Sequence, residues 1–183
     1  MRPRLRVRSY DLELLGERGQ EISYGELAHQ ALYLLAPLPR GARRLTVTQL
    51  VEKAVRQALA LSDPRFREDF DQVASFLTKI LVRALLLPEV RPFFEKGVKA
   101  FRELEIQDES GELHRLDRLV ITSQGPVILE FKLGTRRRSH WEQIRLYQRL
   151  VEEIFGLKPK AFLFYLEEPV LLEVGKPAPG VLF

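Results

Sequence analysis

The sequence contains no cysteine, and this absence excludes several kinds of site. Disulfides, thiolate-ligated zinc sites and iron–sulfur clusters all need cysteine side chains. Long apolar runs are also missing, since no stretch approaches the roughly 20 residues that a membrane-spanning helix needs. The basic N-terminus lacks the apolar segment of a secretory signal. We therefore expect a cytoplasmic protein with no membrane partner.

Charge of one sign is only mildly in excess, with a net charge of +4 over 183 residues. This balance permits binding to a polyanion without requiring it. Arginines nevertheless cluster, most densely at Arg136, Arg137 and Arg138. The chain has the length of one ordinary domain, so we expect a single domain over residues 1–183.

The apolar spacing changes its period near residue 97. Residues 25–96 are predicted to be mainly helical, with Ser23 and Thr48 as helix caps and Pro64 opening a third helix. Residues 97–174 alternate as strands separated by turns, with one long amphipathic helix, in the order β-β-β-α-β-β. This order predicts an α/β fold, in which a central mixed sheet packs against helices.

The segment ILEFKLG carries two charges inside a strand that is otherwise apolar. Glu130 and Lys132 are two residues apart, so their side chains point to the same face of the strand. Charged groups are rarely buried unless they are paired or bind a metal. The pair is therefore either a salt bridge on an exposed face or part of a functional site.

A second carboxylate, Asp117, lies in the preceding apolar strand of the predicted hairpin. Carboxylates on two neighbouring strands form an oxygen-ligand cage suited to Mg²⁺ or Mn²⁺. A lysine beside them, here Lys132, is able to hold or deprotonate a water molecule. On the following helix, Gln143 and Tyr147 share one face, because they are four residues apart.

This ordered set, D…E-x-K followed by Q-x-x-x-Y, resembles the PD-(D/E)XK nuclease superfamily and, within it, the RecB-like branch. Upstream, YGELAH places Gly25 and His29 where RecB-like nucleases carry G-x-x-x-H. The resemblance covers roughly residues 25–174. It departs at Leu116, where the superfamily name has proline, and no helicase motif accompanies the nuclease module. The family's iron–sulfur cysteines are also absent.

The resemblance implies a restriction-endonuclease-like fold and metal-dependent hydrolysis of DNA phosphodiester bonds, in a role such as DNA repair. Its implied metal ligands for Mg²⁺ or Mn²⁺ are His29, Asp117, Glu130 and the backbone carbonyl of Phe131. Lys132 would position or deprotonate the attacking water, with Gln143 and Tyr147 supporting the site. Residues 136–138 would bind the DNA backbone.

Several alternatives remain open at this point. The chain could be a non-catalytic DNA-binding or assembly module, a nuclease subunit active only with a helicase partner, or a structure-specific endonuclease. Glu103 or Glu105 supplies either an extra metal ligand or a cross-strand partner for Arg115. His114 and His140 are expected to be surface residues. Exonuclease or endonuclease action, preference for single-stranded or end-containing DNA, metal count and oligomeric state stay undetermined.

Overall fold

The structure, a computed structural model, describes residues 4–6, 24–62 and 70–175. Within them, one compact unit covers residues 24–62, 70–97 and 166–169, and a second covers 4–6, 98–165 and 170–175. The expectation that they form one nuclease domain stays a prediction. No helix in these residues is both long and apolar enough to cross a membrane.

The first unit is helical, as the apolar spacing predicts. It contains α1 (Tyr24–Leu34), α2 (Arg44–Leu61), α3 (Phe70–Leu85) and a short 3₁₀ helix (Arg91–Phe94). Each α-helix buries residues at helical spacing, such as Val51, Val55 and Leu59 on α2.

One predicted helix cap is wrong, and two further predictions fall outside the described residues. α2 begins at Arg44, a turn earlier than expected, so Thr48 lies inside the helix. Its hydroxyl donates to the Arg44 carbonyl at 2.9 Å, which satisfies Thr48 without capping anything. Ser23 and Pro64 lie outside the described residues.

The second unit is a six-stranded mixed sheet with one helix, in the predicted chain order. The elements are β1 (Arg4–Arg6), β2 (Lys99–Gln107), β3 (Leu113–Thr122), β4 (Gly125–Lys132), α4 (Arg138–Phe155), β5 (Lys160–Tyr165) and β6 (Val170–Glu173). The strands lie side by side in the order β1 to β6. Every neighbouring pair is antiparallel except β4 and β5, which are parallel and joined through α4.

The core of this unit lies where α4 packs on the sheet. Ile144, Tyr147 and Val151 of α4 belong to one buried cluster with Ile128 of β4 and Leu163 of β5. The helix ends at Gly156, whose φ of 65° is a left-handed conformation that glycine adopts without steric cost. This arrangement confirms the predicted α/β restriction-endonuclease-like fold, with a central mixed sheet and a helical N-terminal half.

We expect Ile144→Ala to lower the free energy of unfolding by about 2–5 kcal/mol, because it opens a cavity in a fully buried site. Urea denaturation measures this change. Arg145→Ala, on the exposed side of the same helix, is the matched control and should change stability by less than about 0.5 kcal/mol. Equal losses in the two variants would contradict the proposed position of the core.

Candidate active site

Asp117 and Glu130 are buried where strands β3 and β4 stop pairing. Asp117 is 5% exposed and Glu130 is 2% exposed, which is unusual for carboxylates. The last paired residues of the two strands on this side are Arg118 and Leu129. Beyond that pair, the amide of Phe131, two residues after Leu129, donates to the carboxylate of Asp117, one residue before Arg118, at 2.7 Å. A side-chain oxygen thus accepts an amide hydrogen bond at the place where the strand ladder ends.

Lys132 lies between the buried carboxylate of Glu130 and helix α4. Its ammonium group donates to Glu130 Oε1 and to Gln143 Oε1, both at 2.9 Å. A carboxylate buried in an apolar sheet is costly unless a cation and hydrogen bonds compensate it, and Lys132 supplies both. The E-x-K pair is therefore a partly buried ion pair, in which Glu130 is buried and Lys132 is 15% exposed.

Gln143 and Tyr147 extend this contact along α4. The Gln143 amide nitrogen donates to the Tyr147 hydroxyl at 2.8 Å, one helical turn away. Burial raises the pKa of Tyr147 above its usual range, and the negative charge of Glu130 raises it further. Tyr147 is therefore a neutral phenol near pH 7. One hydrogen-bonded path, the Glu130–Tyr147 path, links Glu130, Lys132, Gln143 and Tyr147.

Glu103 is a further buried carboxylate near Asp117. Oxygen atoms of the two side chains lie within 4.8 Å of each other. Glu103 is 6% exposed, and its Oε2 lies 2.8 Å from Nε of Arg115. The cross-strand pairing with Arg115, one of the two expectations for Glu103, is confirmed, and Glu105 is only half-buried.

The expectation that both histidines lie on the surface is wrong. His114 is half-buried and lies 2.9 Å from Asp108, while its ring meets the edge of the Tyr147 ring. His140 is half-buried at the start of α4, and its Nδ1 lies 3.0 Å from the Tyr165 hydroxyl. Asp108 is six residues before His114, in the turn between β2 and β3, whereas Tyr165 lies on β5. Only the partner of His140 is therefore without a local sequence signal.

His140 lies at the end of the sheet where Lys132 also lies. Tyr165 is the β5 partner of Lys132 in the parallel ladder, which places His140 near this end of β4. Burial lowers the pKa of His140, and the positive charges of Lys132 and Arg137 lower it further. His140 is therefore neutral near pH 7.

The three arginines are exposed, and only Arg138 is part of α4, which it begins. Arg137 occupies the N-cap position, and Arg138 pairs with Glu142 one turn along the helix. The Arg136 guanidinium lies 5.7 Å from the centre of the Tyr165 ring, a cation–π distance. These side chains are thus close in the chain to the end of β4 that carries Lys132.

All four predicted metal ligands stay predictions, including His29 and the Phe131 carbonyl. His29 lies half-buried on α1, in the helical unit. The Phe131 carbonyl belongs to β4, and the ring of Phe131 packs edge-on against Phe164 of β5 at 6.1 Å.

The side chains present fit a divalent cation of the hard, oxygen-preferring type. Asp117 and Glu103 bring carboxylate oxygens within 4.8 Å of each other in a buried place. Glu130 is also buried, and Glu130 and Asp117 are the residues next to the last β3–β4 ladder pair, Arg118 with Leu129. Carboxylates are the ligands that Mg²⁺ and Mn²⁺ prefer in proteins. The sheet therefore carries buried carboxylates of the kind that such an ion binds.

Comparison with known proteins gives a family match over nearly the whole chain. The model of the PD-(D/E)XK nuclease superfamily matches residues 3–178. No curated protein matches. Among solved structures, the protein VC1899 from Vibrio cholerae is similar at 16% identity and a TM-score of 0.36. The match covers 92% of this chain and 50% of that one, so this chain spans about half of the protein's length.

Tyr147→Phe should reduce the loss of stability at alkaline pH. The pKa of Tyr147 is higher in the folded chain than in the unfolded one, where it is about 10. The stability that the neutral phenol contributes is fully present below that pH and is lost as the pH rises towards the folded-state value. Urea denaturation across the alkaline range measures this.

Tyr24→Phe, at an exposed position on α1, is the matched control and should leave the alkaline slope unchanged. If the free energy of unfolding of Tyr147→Phe fell with alkaline pH as steeply as that of the native chain, Tyr147 would not be the buried phenol that the Glu130–Tyr147 path requires.

Proposed function

We infer that this chain, which belongs to the PD-(D/E)XK nuclease superfamily, is a deoxyribonuclease of the RecB-like branch that uses Mg²⁺ or Mn²⁺. The observation that carries the proposal is the Glu130–Tyr147 path, in which Lys132 contacts both Glu130 and Gln143 at 2.9 Å. The path joins the E-x-K motif of the sheet to the Q-x-x-x-Y motif of the helix in one hydrogen-bonded unit. A decayed, non-catalytic module has no need to keep both motifs in contact.

Asp117 and Glu130 would hold the divalent cation, together with His29 and the Phe131 carbonyl. When bound, such a cation supplies Lewis-acid charge, which lowers the pKa of water and polarises a phosphoryl oxygen. Asp117 is held in place by the Phe131 amide, and Glu130 by the Lys132 ammonium. Both carboxylates are therefore oriented before a substrate arrives, which reduces the cost of ordering them during the reaction.

Lys132 would act on the phosphate and the attacking water. Its ammonium group donates hydrogen bonds and carries the positive charge that a pentavalent phosphate transition state needs. Gln143 holds Nζ from the helix side, so the ammonium has two fixed contacts at 2.9 Å. Tyr147 in turn holds Gln143 and stays neutral because it is buried.

DNA would reach the site along the start of α4. Three consecutive exposed arginines, residues 136–138, lie there in a chain of mildly positive net charge. Arginine is well suited to phosphate because its planar donors match the oxygens of the DNA backbone. We propose single-stranded or end-containing DNA as the substrate, and a cytoplasmic role in repair, recombination or DNA processing.

A helicase-dependent nuclease subunit is the second candidate function. On the helical unit, the exposed rings of Tyr24 and Phe76 lie 5.8 Å apart, and Leu45 is 69% exposed. Contiguous exposed apolar groups, such as the neighbouring rings of Tyr24 and Phe76, are the kind of surface that contacts another protein. A full cleavage rate of the isolated chain would count against this candidate, and a rate that rises on adding a helicase would support it.

The native chain is expected to cleave labelled DNA only with Mg²⁺ or Mn²⁺ present, and Lys132→Ala to lower the rate at least about 100-fold. Linear and circular substrates, each single- and double-stranded, separate exonuclease from endonuclease action. Lys158→Ala removes an exposed lysine beyond α4 and should keep the native rate.

Two outcomes would count against the enzyme. Cleavage that persists in Lys132→Ala would point to a contaminating nuclease. DNA binding without cleavage of any substrate, with or without a helicase, would favour a non-catalytic DNA-binding module.

Replacing Arg136, Arg137 and Arg138 with glutamine should flatten the salt dependence of DNA binding. Each lost phosphate contact reduces the slope of log affinity against log salt by about 0.7–0.9. Binding measured by fluorescence anisotropy over a salt series gives this slope. The charge-matched control replaces three exposed cations of α2 and α3 with glutamine: Lys53, Lys79 and Arg83. An equal change in both variants would mean that net charge, and not the start of α4, sets the slope.

A further inference from the structure

Glu103 faces Asp117 across strands β2 and β3. The pairs on either side are Arg102 with Arg118 and Leu104 with Leu116, so Glu103 and Asp117 occupy the position between them. Between the first and the last β2–β3 ladder pair, this is the one position at which the two strands do not form a ladder pair. Their carboxylate oxygens lie within 4.8 Å of each other. Two negative groups so close and so buried repel each other unless a positive charge lies between or beside them.

The backbone at Glu103 takes an unusual conformation. Its φ is 50°, and among the described residues no other non-glycine residue has a positive φ. This left-handed conformation costs a residue with a side chain on the order of 1–2 kcal/mol. The side chain is therefore presented in a direction that a regular strand would not give it.

The same place breaks the alternation of core-facing residues on both strands. On β2, Phe101 packs against the cluster that contains Leu104, and on β3 both Leu116 and Leu119 belong to that cluster. Residues three apart cannot share a face of a regular strand, because side chains alternate with a period of two. The break lets Glu103 and Asp117 lie together between two stretches of core.

Arg115 supplies one positive charge to Glu103. Its Nε lies 2.8 Å from Glu103 Oε2, while its side chain is 53% exposed. Its positive charge also acts on Tyr147, whose pKa it lowers. A half-exposed arginine can leave its partner at little cost, because water replaces the lost contact.

We propose that Glu103 is a further carboxylate ligand of the divalent cation, and that Arg115 is the counter-charge that holds Glu103 while no cation is bound. This inference rests on the proposed function, since it concerns the same metal site. When the cation binds, the Glu103 carboxylate gives up its contact with Arg115 and contacts the metal instead. The Arg115 guanidinium then turns towards solvent. The exchange keeps a positive charge beside the buried carboxylates in both states.

Mn²⁺ binding to the purified full chain, without DNA, tests the inference. The paramagnetic resonance signal of free Mn²⁺ gives the affinity independently of cleavage. Glu103→Gln should weaken binding by at least about tenfold, because it removes a charged oxygen ligand. Glu105→Gln, two residues along the same strand and half-buried, is the matched control and should bind Mn²⁺ as the native chain does.

Arg115→Gln tests whether Glu103 is a metal ligand or only the ion-pair partner of Arg115. If Glu103 binds the cation, removing its competitor leaves the Mn²⁺ affinity unchanged or higher, although the metal-free chain unfolds at a lower temperature. If Glu103 serves only the ion pair, Glu103→Gln and Arg115→Gln lower the unfolding temperature alike and neither weakens Mn²⁺ binding. The second pattern would overturn the inference.

Asp117→Asn distinguishes failure of this inference from failure of the proposed function. Native binding that is lost in Asp117→Asn but kept in Glu103→Gln would refute the role of Glu103 alone. No saturable Mn²⁺ binding by the native chain would overturn both proposals. Far-UV circular dichroism of each variant confirms that it is folded before its affinity is compared.

Discussion

The hydrogen bond from the Phe131 amide to Asp117 is the contact on which the candidate site depends. It forms where β3 and β4 cease to pair, at the last ladder pair of Arg118 and Leu129. A buried amide left without an acceptor costs about 1–3 kcal/mol, so the carboxylate stabilises the strand while it is held in position. Beyond this point β3 pairs with β2, and β4 pairs with β5. The opening between them is where the acidic groups collect.

Charge compensation explains the remaining geometry. Glu130, at 2% exposure, is stabilised by the Lys132 ammonium, and Gln143 fixes that ammonium from the helix. Tyr147 anchors Gln143 and is itself part of the core beneath α4. The reactive side chains are thus supported by the same packing that joins helix and sheet. Positions held in this way stay ordered without a ligand, which favours catalysis.

Sequence reasoning succeeded where the signal is local. Alternation and helical spacing identified the β-β-β-α-β-β order, and the i and i+4 spacing put Gln143 and Tyr147 on one helix face. It failed where a partner comes from elsewhere in the fold. His140 looked like a surface residue because its partner, Tyr165, lies on a strand beyond the helix. Thr48 is a failure of a different kind, since its partner, the Arg44 carbonyl, is local: the apolar pattern does not show that α2 begins a turn earlier, at Arg44.

By itself, the sequence determined the superfamily and the element order, because the periodicity and the motif order can be read along the chain. It left open whether Glu130 and Lys132 lie on an exposed face, which the structure decides. Only the tertiary structure decided which acidic groups meet. Glu103 and Glu105 are equivalent in the alternating pattern, yet only Glu103 has the left-handed φ and is buried near Asp117. Glu103 meets Asp117, and Glu105 does not, because the alternation of core-facing residues is interrupted at the same place on β2 and β3. Such a break exists only once both strands are packed against one core, so no single strand's sequence encodes it.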